Sequence, residues 1–291
     1  MAETHDPKIR RLLAPNPSPM THTGTNTYLL GRRDIAVIDP GPDNDAHFAA
    51  ILSSIAPYQK ITKILVTHAH LDHAPLARRL SIHCGAPVFA YGDSAAGRSP
   101  QMIALCEAGT IGGGEGVDDA FQPDVILKDQ VALDHEGQEL TAIWTPGHFG
   151  NHMAFAWNGA MFSGDHVMGW ASTMISPPDG DLGAFRRSCT ALQQRPEKLY
   201  LPGHGDAIED GPARLDWLLA HRQQRESQII SHLKGRPNTA QSLAKAIYSG
   251  INPQLIPAAT RNVLAHLIDL CERDLATCHG PIDLQAKYSV I

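Results

Sequence analysis

The sequence of 291 residues contains no unbroken apolar run of about 18 residues, the length that predicts a membrane-spanning helix. Residues 1–20 are rich in proline and charge, and they lack the apolar core of a secretion signal. We therefore expect a cytoplasmic protein that has no membrane partner.

Cysteine is sparse, and its placement argues against a disulfide framework. The five cysteines are odd in number, scattered along the chain and nowhere arranged as C-x-x-C. They are Cys84, Cys106, Cys189, Cys271 and Cys278. This pattern is typical of reduced, mostly buried thiols in a cytosolic protein.

Positive charge is in deficit, with 24 Lys and Arg against 30 Asp and Glu, a formal net charge of −6 and a sequence pI of about 6.2. No global basic field is available to attract nucleic acid, although dispersed arginine pairs leave a local basic groove open. The sequence also lacks the G-x-S-x-G motif of a serine nucleophile. The glycine-rich segment 111–116 lacks the Lys-Ser/Thr of a phosphate-binding loop, so we predict a mobile surface loop or lid there.

The most informative stretch is residues 67–73, Thr-His-Ala-His-Leu-Asp-His, which places three imidazoles and one carboxylate within six residues. The candidate ligands in it are His68, His70, Asp72 and His73. An apolar extended segment, 61–66, precedes the stretch, and a helix-compatible segment, 74–80, follows it. Imidazole and carboxylate side chains on a loop after a strand predict a site for zinc or a similar divalent ion.

Three later segments each place a histidine or an aspartate beside glycine, directly after a short apolar strand. They end in His148, Asp165 and His204. Glycine permits a sharp turn and a close backbone approach. Four strand ends that present such side chains at one sheet edge predict a metal-binding cleft. A purely structural role is an alternative for His204 taken alone, but His68, His70 and His73 lie too close together for three independent packing roles.

The ordered set H-x-H-x-D-H, G-H, G-D and G-H over residues 68–204 resembles the metallo-beta-lactamase superfamily. The resemblance implies an α/β protein with an αββα sandwich and a two-metal site at one edge, and it implies two divalent ions, with zinc preferred. The seven implied ligands form two sets and a bridge: His68, His70 and His148 for one ion, Asp72, His73 and His204 for the other, and Asp165 between them.

After Gly211 the pattern of strands and turns gives way to apolar stripes at helical spacing. These stripes predict a long helix through 215–233, two further helices near 243–248 and 263–271, and a hairpin within 278–290. Three helices and a hairpin outline a winged helix. We therefore predict a metallo-beta-lactamase-fold catalytic domain over residues 1–210 and a small helical, winged-helix-like domain over residues 211–291.

The tail, together with segments 24–28 and 221–226, resembles the beta-lactamase-like protein 2 branch of the superfamily. Its third predicted helix carries mixed charge, which is a poor face for binding phosphates. The charged or titratable residues there are Arg261, His266, Asp269, Glu272, Arg273 and Asp274. We expect the tail to pack on the catalytic domain and wall its cleft, or to mediate a homodimer.

Two residues are predicted to act in catalysis. Asp72 can move a proton while it holds metal, and His152, four residues after His148, can bind an oxyanion or donate a proton. A supporting position within a strand is the alternative for His152. Among weaker candidates, Asn26 is predicted to orient a metal ligand and His166 to point elsewhere. Ser172 and Thr173 are predicted to line the pocket, because they follow a Gly-Trp turn.

The predicted reaction is hydrolysis by a hydroxide held between two metal ions. A small ester, thioester or lactone is the preferred substrate, because the acidic charge balance favours a small acyl molecule over nucleic acid as the partner. An endoribonuclease that cuts single-stranded RNA is the first alternative. A metal-sensing or nucleic-acid-binding regulator is the second, although the presence of all seven candidate ligands argues against a vestigial site.

Overall fold

The computed structural model, which describes residues 8–291, contains two β-sheets stacked face to face. The first sheet has six strands, in the order β1 (Ile9–Leu13), β2 (Asn26–Leu30), β3 (Asp34–Ile38), β4 (Lys60–Leu65), β5 (Val88–Ala90) and β6 (Val125–Ile126). The second has five, in the order β11 (Leu199–Pro202), β10 (Ala160–Gly164), β9 (Met153–Trp157), β8 (Gln138–Trp144) and β7 (Val131–His135).

Both sheets are mixed, and their parallel pairs decide where functional side chains can meet. Strands β3, β4, β5 and β6 pair in parallel, as do β10 and β11, while the other neighbours are antiparallel. The carboxyl ends of parallel strands lie at the same edge of a sheet, and ligands of such sheets bind outside that edge. The loops after β3, β4, β10 and β11 therefore converge.

Helices cover the outer faces of the sheets. They are α1 (Asp45–Ser53) and α2 (Leu76–Cys84) on the first sheet and α4 (Leu182–Leu192) and α5 (Gly211–Leu233) on the second, while α3 (Pro100–Ala108) packs against the tail. Buried side chains such as Leu30, Phe155 and Phe162 fill the space between the sheets, and Ile51 and Leu80 pack α1 and α2 on the first sheet. A further cluster packs α4 and α5 on the second sheet. The predicted αββα sandwich is confirmed. Within residues 8–291, no helix is both long and apolar enough to cross a membrane.

The C-terminal part has the predicted helices and hairpin. After α5 come β12 (Asn238–Thr239), α6 (Ala240–Ile247), a short 3-10 helix (Pro253–Leu255), α7 (Ile256–Glu272), β13 (Ala276–His279) and β14 (Lys287–Val290), with sheet order β12-β14-β13. Its core also takes in Met102 and Leu105 of α3, a helix that the sequence pattern did not predict. The division of the chain at residue 210 stays a prediction.

The polar residues that interrupt the apolar stripe of α5 lie at its contact with α4 and α7. Glu226 has an exposed side-chain fraction of 5%, and its Oε2 lies 2.5 Å from Nη2 of Arg186 on α4. The same carboxylate pairs with Arg273, which follows α7. Oδ2 of Asp269 on α7 also forms ion pairs with both arginines, at 3.0 Å from Nη1 of Arg186 and 2.9 Å from Nη2 of Arg273. A network of two buried carboxylates and two partly exposed arginines thus joins the tail to the sandwich.

We expect a chain that ends at Glu209 to be insoluble or inactive, because the loss of α5 and α7 exposes apolar surface on the second sheet and on α3. Size-exclusion chromatography and turnover of an ester panel, with the full chain as control, test this. A truncated chain that stays monodisperse and keeps full turnover would show instead that the tail is an independent module.

We expect Glu226→Ala to lower the free energy of unfolding by about 3 kcal/mol, because it leaves Arg186 and Arg273 facing each other with one carboxylate between them. Urea unfolding measures the change. Arg78→Ala is the control, since the Arg78–Asp124 pair is largely exposed and its loss should cost less than about 1 kcal/mol. Equal effects of the two substitutions would contradict a stabilising role for the network.

Candidate metal centre

The predicted ligands all lie on loops that leave the sheets at one edge. Strand β4 leads into residues 67–73, β8 leads to His148, β10 to Asp165 and β11 to His204. The two sheets are also joined there, because the backbone N–H of Met153 donates to the carbonyl of Thr67 at 2.7 Å. The structure therefore brings together side chains that are up to 136 residues apart (His68 to His204).

Three histidines form a first group. Nε2 of His68 lies 2.8 Å from Nδ1 of His70, and Nε2 of His148 lies 3.2 Å from the same Nδ1. The three ligand atoms lie within 4.8 Å of one another. All three rings are buried or nearly so, which gives an all-nitrogen group suited to a divalent ion of the zinc type.

Two aspartates and two histidines form a second group beside the first. Nε2 of His204 lies 3.1 Å from Oδ2 of Asp72 and 3.2 Å from Oδ2 of Asp165, and Nε2 of His73 lies 3.5 Å from Oδ1 of Asp165. Oδ2 of Asp165 is also 3.9 Å from Nε2 of His148 in the first group. Asp165 thus lies between the two groups, in the position predicted for a bridging ligand.

The outer nitrogen of four of the five rings has its own acceptor, and this fixes which nitrogen carries the proton in the neutral ring. Nδ1 of His148 donates to the carbonyl of Met174 at 2.8 Å, and Nδ1 of His204 donates to the carbonyl of Gly24 at 3.1 Å. A carbonyl oxygen can only accept, so in the neutral ring each Nε2 carries a bare lone pair. Such outer partners set the orientation and tautomer of metal-binding histidines.

The other two rings depend on Asp39. Nδ1 of His73 donates to Oδ2 of Asp39 at 2.9 Å. The hydroxyl of Thr67 donates to the same oxygen at 2.8 Å and therefore accepts from Nδ1 of His68 at 2.9 Å. Oδ1 of Asp39 accepts from the backbone N–H of Thr67 at 2.7 Å. One buried carboxylate thus orients a ligand in each group.

The side chains of the two groups are suited to binding a pair of cations. Five imidazoles and two carboxylates face one small volume, and Oδ1 of Asp165 is buried with no hydrogen-bond donor among the described residues. In the first group the nitrogen atoms converge without donors, repel one another and have lost their hydration, and a cation between them would remove this cost. In the second group two carboxylates face two imidazoles, and a metal ion there would replace the proton that the imidazoles otherwise hold.

The pKa values differ between the groups. Burial lowers the pKa of His70 to about 3 and that of His68 well below its usual range, so both are neutral donors at pH 7. Burial also acts on His204, but attraction to Asp165 and a hydrogen bond with Asp72 outweigh it and raise its pKa to about 9. Without metal the second group therefore holds a proton, which binding of an ion must release.

Two glycines allow the close packing at the ligands. A Cβ on Gly147, which has φ of 146°, would lie 2.4 Å from Cα of Phe185. A Cβ on Gly203 would lie 2.4 Å from Oδ1 of Asp165 and 2.7 Å from Cε1 of His73. Gly147 precedes His148 and Gly203 precedes His204, and at both positions a side chain would clash; at Gly147 the positive φ favours glycine as well.

A cavity of about 770 Å³ opens onto both groups. Ligand residues form its base, and its walls come from the 111–116 loop, the residues after β10 and the tail. The apolar wall residues are Met20, Ile111, Met168, Met174, Ile256, Pro257, Ala258 and Leu284, and the polar wall residues of the tail are Gln241, Thr260, Arg261 and Gln285. The tail therefore walls the cleft, as predicted, and the 111–116 loop lies at the cavity.

The structure places His152 behind the first group. Its ring is fully buried, its centroid lies 5.1 Å from that of His68, and its Nδ1 shares a hydrogen bond of 2.8 Å with the hydroxyl of Thr145. His152 does not line the cavity, so its predicted role in catalysis stays a prediction. His166 is also buried and its Nε2 faces Cys189 at 3.6 Å, away from the ligands.

Asn26, Ser172 and Thr173 were also predicted to lie at or near the site, and the structure places them differently. Asn26 supports the loop that carries His204, since its Nδ2 donates to the carbonyls of Pro202 and Gly205 at 2.9 and 2.8 Å. Ser172 and Thr173 do not line the cavity; their neighbours Met174 and Ser176 do. The hydroxyl of Thr173 instead donates to the carbonyl of His166 at 2.8 Å.

The sequence pattern missed Asp39. It follows β3 in the turn segment Asp-Pro-Gly-Pro, where aspartate is common for reasons unrelated to metal. The signal was an acidic residue directly after a strand that is buried from Ile35 to Ile38. The cavity wall contributed by the tail had no local sequence signal, because it arises from docking of distant segments.

Comparison with known proteins agrees with this geometry. Residues 20–204 match the metallo-beta-lactamase superfamily, and residues 239–281 match the beta-lactamase associated winged helix domain. The beta-lactamase-like protein 2 homolog of Drosophila melanogaster is 31% identical over 274 residues, which cover 90% of this chain and 87% of that protein. The atrochrysone carboxyl ACP thioesterase of Aspergillus chevalieri is 31% identical over 232 residues, 78% of this chain and 66% of that protein.

A solved structure extends the similarity to nearly the whole molecule. A metallo-beta-lactamase family protein of Thermus thermophilus aligns with a TM-score of 0.77 and 26% identity, over 99% of this chain and all of that chain (100%). The family match, the tail match and the ligand groups agree with the resemblance seen in the sequence. The chain belongs to the metallo-beta-lactamase superfamily, in the form that carries a C-terminal winged helix domain.

Proposed function

We propose that this protein is a hydrolase that uses two zinc ions to cleave a small acyl ester, thioester or lactone. The observation that carries the proposal is the cavity of about 770 Å³, whose walls are largely apolar and whose base is both ligand groups. Cavities of this size and character hold small organic molecules and bury most of their surface. An acyl group fits such walls, while its carbonyl meets the polar base.

Zinc is proposed because of the donor atoms. Five imidazoles and two carboxylates make up the two groups, and nitrogen-rich sets of this kind suit zinc better than magnesium or calcium. When bound, such a pair of ions lowers the pKa of a shared water toward neutrality and stabilises negative charge on the attacked carbonyl oxygen.

The side chains themselves have two tasks in this reaction. Asp165 lies between the groups and fixes their spacing, because its two oxygens face different rings. Asp72 has 26% of its side chain exposed and lines the cavity, so it is placed to receive a proton from the nucleophile. Burial alone would raise the pKa of Asp72, but attraction to His73 and a hydrogen bond from His204 outweigh it and lower that pKa to about 2.

Cleavage of an acyl thioester is favoured over cleavage of RNA by the charge of the cavity. Its lining, all within residues 8–291, includes one arginine and no lysine, against the carboxylates of Asp72, Glu115, Asp165 and Asp179. A groove for single-stranded RNA needs several cations that follow the phosphates. The named activity of the Aspergillus chevalieri relative, a thioesterase, supports the acyl proposal.

A nucleic-acid-binding regulator is disfavoured by the packing of α7. A winged helix reads DNA with an exposed face of its third helix. Here that helix buries ten of its residues, among them Arg261, His266 and Asp269, and its first turn lines the cavity.

We expect two divalent ions per chain at saturating zinc, because seven ligand side chains exceed what one tetrahedral ion can use. Elemental analysis of the purified protein measures this number. Asp165→Ala should lose metal and turnover together, whereas Asp134→Ala, at an exposed carboxylate on β7, should lose neither. A maximum of one ion per chain would refute the dinuclear site.

We expect turnover of a lactone or thioester panel that changes little with salt. Cleavage of RNA would fall steeply with salt, because each phosphate contact releases counterions. The measurement compares the panel with a labelled single-stranded RNA at low and physiological salt. Cleavage of RNA that disappears in Asp72→Ala, with no acyl turnover, would overturn the proposal. Cleavage of RNA that survives Asp72→Ala would identify a contaminating nuclease.

A further inference from the structure

One peptide group lies between the metal centre and the tail. It joins Met174 to Ile175, in the segment after β10. Its carbonyl oxygen, on Met174, accepts from Nδ1 of His148 at 2.8 Å. Its N–H, on Ile175, donates to Oδ1 of Asn262 on α7 at 3.1 Å. The two bonds leave the peptide in opposite directions, because the C=O and N–H of a trans peptide are antiparallel.

The planar peptide group couples the directions of these two hydrogen bonds. A peptide group is planar and resists twisting by more than about 10–15°. If Asn262 holds the N–H side, the direction of the carbonyl on the other side is set. That carbonyl determines how the ring of His148 turns, and the ring position determines where its Nε2 points within the first group.

The tail holds the neighbouring residues as well. Arg222 of α5 donates through Nη2 to the carbonyl of Thr173 and through Nη1 to Oδ1 of Asn262 at 3.2 Å. Arg261 donates through Nε to Oγ of Ser176 at 2.8 Å. The segment that carries the carbonyl is thus held on both sides by the tail. Oδ1 of Asn262 is the shared acceptor, so its removal leaves two donors in the interior without a partner.

We propose that Asn262 is a positioning residue for metal binding, which raises the affinity of the His68–His70–His148 group by fixing the Met174–Ile175 peptide. The tail thereby becomes part of the support of the metal centre. Metal affinity is measured without substrate, so this role of Asn262 is independent of the substrate proposed above.

The effect is expected in one group only. The outer acceptors of the second group are Asp39, which holds His73, and Gly24, which holds His204. Both precede β4 in the chain, and neither is bonded to Asn262 or Arg222. A change at Asn262 therefore reaches His148 without a matching path to the second group.

The experiment compares two substitutions at this position. Asn262→Leu keeps the approximate size but removes the acceptor, while Asn262→Asp retains an acceptor oxygen for both donors. Asn252→Leu is the matched control, because Oδ1 of Asn252 also accepts a backbone N–H in the tail, that of Gln254 at 3.0 Å, but at an exposed position where the short 3-10 helix begins.

The readout is binding of cadmium to the metal-free full chain, followed by ¹¹³Cd NMR, in which the all-nitrogen group and the mixed nitrogen and oxygen group give separate resonances. We expect Asn262→Leu to weaken the all-nitrogen group roughly tenfold, the lower end for loss of an outer partner, and to leave the mixed group unchanged. Asn262→Asp and Asn252→Leu should bind both ions as the unaltered chain does.

Equal weakening of both groups in Asn262→Leu, or no weakening, would overturn the proposal, as would failure of Asn262→Asp to restore binding. If Asn262→Leu does not fold, as judged by circular dichroism, Asn262→Ser takes its place. Its shorter side chain removes the acceptor from reach without inserting apolar bulk, and the same selective loss is then required of it.

Discussion

Four imidazole rings each donate outward from one nitrogen and turn the other nitrogen toward the metal centre, and the remaining structure supports this arrangement. Converging lone pairs repel, and burial removes the water that would otherwise satisfy them. A flexible loop would relax away from such a geometry. Here each ligand follows directly from a buried strand, and each outer acceptor is a backbone carbonyl or is itself held by further hydrogen bonds. The sandwich therefore holds the ligand side chains close together in spite of the repulsion between them.

The sequence predicted which side chains meet at this edge, because their placement depends on local features. A short apolar strand, a glycine and a histidine or aspartate occur together in a few residues, and strand ends of this fold meet at one edge. Asp39 depends on a relation between β3 and β4 that local spacing does not encode. Helix α3 was missed because its buried residues, Met102 and Leu105, give only a faint stripe. The reason that Arg222 and Glu226 interrupt α5 became visible only with their partners on α4 and α7.

The winged helix tail serves this molecule as wall and support. Its third helix is buried along most of its length, and the turn at its start shapes the cavity beside the ligands. The ligand residues at the base of the cavity are those typical of the superfamily. The walls of the cavity come from separate parts of the chain, among them Met20, the 111–116 loop and the tail. Differences in substrate among related chains can therefore arise by changing walls while the base is retained.

The pairing of Asn26 with the loop of His204 has a consequence for the newly made protein. The backbone N–H of Asn26 donates to Gly203, and Gly24 accepts from His204, so the earliest strands hold the last ligand. A ribosome releases the N-terminal end first, and the partner of that strand emerges nearly 180 residues later. No fragment released before that point contains a complete second ligand group. The nascent chain therefore cannot carry a working site, and any hydrolytic activity begins only when most of the polypeptide has left the ribosome.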